Sequence, residues 1–208
     1  MSIEHWRLEP KKRLLFSIEV SAKLIEAGYR IYKLKGQSLE TLRNAGFPFW
    51  TAWHKDYPVF ETLPSRLSEV AINPDQLFLP DSNNKTLKQQ VLMVEQFSRG
   101  LNLEEVEAVL GEAPDYEELV FTATEERLFG EKYDFCYTRT KTPVSKSRSV
   151  GVGGLDAKRG LGVRHFDLGR GFKSLFAAPL LVPRLNLNQN DRSAQTPILA
   201  RGEPKIDH

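Results

Sequence analysis

Side chains able to do chemistry are few and scattered in this sequence. His5, His54, His165 and His208 stand far apart, with no two at metal-ligand spacing and no H-E-x-x-H run. Cys136, the single cysteine, sits in the alternating run FCYTRT with no histidine close by in sequence to activate it. A passive thiol is therefore expected, and two-thiol redox chemistry and disulfide frameworks are excluded. The glycines of GVGGLDAKRG follow neither the G-x-G-x-x-G order nor the G-x-x-x-x-G-K-[ST] signature, so they read as accommodations of β-structure. Glu117, Glu118, Glu125 and Glu126 fall on a predicted helix at spacings that suit solvated faces, which leaves no acid–base pair. The expectation is a protein that is not an enzyme and uses no cofactor and no metal.

One constellation stands out. Lys146, Arg148, Lys158, Arg159, Arg164, Arg170 and Lys173 recur through a stretch that also carries Phe166 and Phe172. Cations interleaved with aromatics suit an anionic ligand such as nucleic acid or phosphate, although lysines also protect solvated strand edges. The formal charge of the whole chain is only +2, so bulk electrostatics does not decide between them.

The elements that must position these groups follow from pattern. With 208 residues, 40% apolar and 27% charged, the composition is that of an ordinary soluble domain with enough apolar material for a core. Leu14, Ile18, Ala22 and Ile25 recur at helical spacing, so a first amphipathic helix is expected over Lys12 to Ala27 with that stripe facing the core and Gly28 as its stop. A strand over YRIYKLKG and a short helix capped by Ser38 and ended by Gly46 come next. The aromatic and proline-rich Phe47 to Pro64 reads as an irregular packed connection, with Trp50, Trp53, Tyr57 and Phe60 mostly filling core. Two short extended pieces follow, turning at Asn73-Pro74-Asp75 and Pro80-Asp81. A helix from Thr86 then places Leu87, Val91, Val94, Phe97 and Leu101 on one face. Residues Glu104 to Ala113 fit a helical turn or a strand, with strand preferred, and an Asp115–Glu118 pair is expected to open a helix running through Leu128 to Gly130. From Tyr133 the grammar becomes β, ending in SLFAAPLLVP as one continuously apolar strand. The fold class is thus α+β, with helices in the N-terminal half and short antiparallel strands in the C-terminal half.

Two blocks, ERLFGEKYDFCYTRTKTPV (Glu126 to Val144) and VGVGGLDAKRGLGVRHFDLGRGFKSLFAAPLLVP (Val150 to Pro183), resemble the C-terminal ends of variable proteins from diversity-generating retroelements. The resemblance covers about a third of the chain. It implies a single C-type-lectin-like domain over residues 1–184, of the type shared with formylglycine-generating enzymes, with 133–184 carrying the variable ligand-binding region. It also implies a ligand-binding receptor whose codons are altered by adenine-directed mutagenesis. Val150, Val152, Leu155, Leu161, Val163, Leu175, Phe176, Leu180, Leu181 and Val182 would be its frame. Gly154, Arg159, Arg164, His165, Leu168, Gly169, Gly171, Phe172 and Lys173 would be its changeable, ligand-binding face. The lone Cys136 departs from the cysteine chemistry of the related enzymes. A protein or other macromolecule is the expected partner. The rivals are a basic nucleic-acid-binding protein and a virion or assembly protein using the polar tail 185–208 as an intersubunit arm. With no signal peptide or apolar span visible, a cytoplasmic or virion-associated location is expected.

Overall fold

The computed structural model describes residues 14–50 and 60–184. The chain is α+β, and its described residues form two four-stranded sheets. The first sheet has the order β1 (Arg30–Lys33), β2 (Glu69–Ile72), β8 (Leu180–Pro183), β3 (Val106–Val109), with every pair antiparallel. The second has the order β6 (Gly160–Asp167), β5 (Arg148–Asp156), β4 (Tyr137–Pro143), β7 (Leu175–Phe176). Here β4, β5 and β6 form an antiparallel meander, and β7 runs parallel to β4.

The first sheet is buried on both faces, and its side-chain alternation assigns each residue to one of two cores. Val70, Ile72, Leu180 and Val182 point into a core shared with Val150, Val152, Leu161 and Val163 of the second sheet. That core is filled by Tyr116, Leu119 and Val120 of a helix over Ala113–Thr122, the last of four α-helices among the described residues. Ala71, Ala108 and Leu181 point the other way, against Val20 and Leu24 of α1 (Ile18–Glu26) and Val94 of α3 (Leu87–Gly100). The short α2 (Leu39–Asn44) adds Leu39 to the first core. The Ala113–Thr122 helix is α4.

Local capping chemistry is where sequence and structure agree most closely. Ser38 caps α2, accepting from Thr41 N at 3.2 Å, and Thr86 caps α3 in a reciprocal box with Gln89. Residues Val106–Val109 are a strand.

Four expectations are corrected. First, α1 starts at its cap Ser17 and turns Val20 and Leu24 inward, leaving Ile18 87% and Ile25 62% exposed. Phe16, Val20 and Leu24 form a second stripe at four-residue spacing, and it is this one that meets the sheet. Second, α4 opens one turn early. Asp115 Oδ2 accepts from Glu112 N at 2.9 Å, so the pair is Glu112–Asp115, and the helix stops at Thr122. Beyond it the chain turns through left-handed Arg127 and Phe129. Third, SLFAAPLLVP is two strands in different sheets, with buried Ala177 and Ala178 crossing between them. Ser82 Oγ accepts from Ala177 N and Thr138 Oγ1 from Ala178 N, which replaces the ladder bonds lost at the crossing.

Fourth, Glu117 and Glu118 are buried, not solvated. The Glu118 carboxylate accepts from the backbone N–H groups of Lys35, Gly36 and Gln37 and from the Ser65 hydroxyl. Asp115 does the same for Arg66 and Leu67. These carboxylates fasten the loops around α2 and before β2 to α4. The expectations for His5, His54, Trp53, Tyr57, His208 and the tail 185–208 fall outside the described residues.

Candidate functional site

The register of the second sheet puts Tyr137, Arg139, Ser149, Gly151, Gly153, Gly162, Arg164 and Phe166 on the face away from the core. Three of these are glycines; at Gly151 and Gly162 the space where a side chain would stand is filled by rings, and at Gly153 by the Cys136–Tyr137 backbone. A Cβ on Gly151 would lie 2.5 Å from the Phe166 ring, and one on Gly162 would lie 2.6 Å from Tyr137 Oη and 2.9 Å from Trp50 Nε1. Aromatic side chains therefore pack over these glycines. Tyr137 meets Phe166 edge-on at 5.8 Å, and Phe166 meets Phe172 edge-on at 5.3 Å.

Trp50 closes one end of this row. Its backbone N–H donates to Leu161 O at 3.2 Å, Leu161 N donates to Pro48 O at 2.9 Å, and its indole N–H donates to Gly154 O at 3.1 Å. Two guanidiniums pack on it: Arg159 at 4.6 Å and Arg164 at 4.5 Å from a ring centroid. Arg164 also stands 5.6 Å from the Tyr137 ring, and Arg170 lies 5.5 Å from Phe172 at the other end. Arg159 is delivered by the tight turn between β5 and β6. There the Asp156 carboxylate accepts from Arg159 N at 2.8 Å and Lys158 N at 2.9 Å, bonds that hold it below the usual carboxylate range.

The connection from β6 to β7 is held from beneath by Arg139, which is fully buried. Its Nε donates to Gln90 Oε1 at 3.0 Å, Nη1 to Asp167 O at 2.8 Å and Nη2 to Arg170 O at 2.8 Å. Burial draws its pKa down to about 10, partly opposed by Asp167, so it remains a cation at neutral pH. Gln90 Nε2 donates in turn to Ser82 O and Leu175 O. Leu168 is held on both sides, its N–H donating to Ser147 O and its carbonyl accepting from Leu87 N. The loop is thus tied to α3, to the β4–β5 connection and to β4 itself.

The sequence-derived face divides on this frame. Arg159, Arg164, His165, Gly169 and Lys173 are exposed, whereas Leu168 and Phe172 are half-buried. Gly154 is buried, with Tyr137 Oη 2.7 Å from any added Cβ, and its φ of +62° disfavours a side chain. Gly171 lies against the Asn84 backbone, where an added Cβ would collide. The structure brings Arg159 and Arg164 together on Trp50, and sets His165 3.2 Å from Arg148 Nη1. Every frame residue from Val150 to Val182 is buried or half-buried.

Tyr137 and Arg139 are not among the site candidates that the sequence offers, whereas Phe166 and Arg170 belong to its basic and aromatic constellation. Trp50, whose aromatic cluster the sequence assigns mostly to core, is half-buried beneath two arginines. A signal for the rings existed in the alternation of VGVGG, since glycine at every second strand position implies that something lies against that face.

Cys136 is buried, its thiol pushed up by burial and by Asp134. Among the described residues no group of three or more His, Cys, Asp or Glu could hold a metal ion, and no helix is long and apolar enough to cross a membrane. No protein-family model, no curated protein and no solved structure matches the chain.

Proposed function

We propose that this chain is a non-enzymatic ligand-binding receptor, a variable protein of a diversity-generating retroelement with a C-type-lectin-like fold. The observation that carries the reading is the separation, within residues 133–184, of five exposed candidate positions, Arg159, Arg164, His165, Gly169 and Lys173, from a frame that is buried or half-buried. A receptor that tolerates replacement needs this separation, because surface changes cost little while core truncations cost several kcal/mol. The return of the C-terminal β8 into the sheet that contains β1 and β2, with the β4–β5–β6 meander beyond it, is compatible with the lectin-like layout. Arginine, histidine and lysine on the exposed positions supply contact area and charge for a protein partner.

The test is a displayed library randomised at Arg159, Arg164, His165, Gly169 and Lys173. Most members should fold, with melting temperatures within a few degrees of the parent, and different members should capture different protein targets. General loss of folding would reject the receptor reading. In the genome, a reverse-transcriptase gene and a near-copy of the codons for about Tyr137 to Pro183, differing mainly at adenines, identify the retroelement class.

A further inference from the structure

Between Arg148 and Lys173 the chain carries six exposed cations, Arg148, Lys158, Arg159, Arg164, Arg170 and Lys173, against two half-buried carboxylates, with Arg148 and Asp167 on the side of the sheet opposite Arg164. Both carboxylates are engaged: Asp167 pairs with Arg148 at 3.4 Å, and Asp156 holds its own turn. Arg159 reaches Asp156 only at 3.5 Å, and Arg164 has no carboxylate partner among the described residues. The guanidiniums of Arg159 and Arg164 are nonetheless held in place, because Trp50 behind them is fixed by its backbone and indole hydrogen bonds.

We propose that Arg159 and Arg164, backed by Trp50 and Tyr137, form a carboxylate clamp through which this face takes an acidic segment of a partner protein. The inference rests on the binding-receptor reading and names the chemistry of its ligand. A guanidinium stacked on a ring keeps its N–H edges free, and those edges match the two oxygens of a carboxylate. Stacking also removes part of the rotamer entropy that a free arginine gives up on binding. A nucleic acid is the poorer fit. The ring faces on which bases would stack are taken by guanidiniums, and the whole chain carries a charge of only +2.

The experiment uses the full chain and a labelled oligo-glutamate peptide, compared with oligothymidylate of equal charge. Wild-type protein should bind the peptide in preference to the oligonucleotide. Arg164→Lys keeps the charge but loses the fork and the stack, and should weaken binding by about tenfold, the loss of a charge-assisted hydrogen bond. Lys33→Ala, an exposed cation on the other sheet, should leave affinity unchanged. Melting curves accompany each variant, and Arg159→Lys repeats the test at the second guanidinium. Absence of peptide binding, equal losses in Arg164→Lys and Lys33→Ala, or tighter binding of oligothymidylate would each overturn the clamp. None of those results would alter the fold-tolerance of the randomised library, so a failed clamp and a failed receptor reading remain distinct.

Discussion

Glu117 is the residue whose environment most contradicts its type. It lies buried on α4, and burial, reinforced by the neighbouring Asp115 and opposed by Arg43, raises its pKa from an ordinary 4.5 to about 8. The folded state therefore holds this proton more tightly than the unfolded chain. The resulting stability is fully present below the ordinary value and is lost as pH rises through about 8. Asp115, also raised by burial, contributes with the same sign. Glu117→Gln keeps the shape without the charge, and should gain about 1–3 kcal/mol at alkaline pH with little change in acid. Denaturant titrations across the neutral range measure it; a wild-type stability as flat with pH as that of the variant would contradict the assignment. This burial was invisible in sequence, because Glu117 and Glu118 at adjacent helical positions look like a solvated face. Glu118 is hidden by contact with the chain at residues 35–37 and at Ser65, brought there by the tertiary fold.

At the scale of elements, legibility tracks how local the determinant is. Ser38 and Thr86 cap their helices through bonds to residues three positions on, so the sequence suffices to place both helix starts. The buried face of α1 is not legible in the sequence for the opposite reason. Two apolar stripes run along that helix at helical spacing, and only packing on Ala71 and Leu181 selects Val20 and Leu24. The loop between β6 and β7 belongs to the non-local class as well, since its shape depends on Arg139, about thirty residues earlier in the chain. A buried cation satisfied by carbonyls and an amide is costly to remove, because each acceptor it leaves stays desolvated. Arg139→Met should cost at least about 2 kcal/mol, and the Leu168 amide, bonded to Ser147 O, should exchange faster than the strand amides of β5. Unchanged exchange at Leu168 would mean that the loop is held without Arg139. If the loop loosens, the exposed Gly169 and Lys173 lose the fixed positions that the proposed receptor reading requires.

At the scale of the whole molecule, β8 makes the two sheets depend on each other. It is the last described strand in sequence and an interior strand of the first sheet, between β2 and β3. The chain enters it directly from β7 of the second sheet, across Ala177 and Ala178, whose amides are held by Ser82 and Thr138. The apolar run SLFAAPLLVP reveals burial but not this change of sheet, because both strands are continuously apolar and strand period alone carries no information about partner. Leu180 and Val182 face one core and Leu181 the other, so neither core can open while β8 stays paired. Leu181→Ala should accordingly cost about 2–5 kcal/mol, the range for a buried leucine, and should lower both sheets together. Amide exchange of β2 and β5 in the variant is expected to accelerate by the same factor, through one global opening. Faster exchange in β2 with β5 unchanged would mean that the sheet bearing Arg159 and Arg164 opens independently. The proposed binding face would then stand on a separate unit, and the rigid coupling between face and frame would be lost.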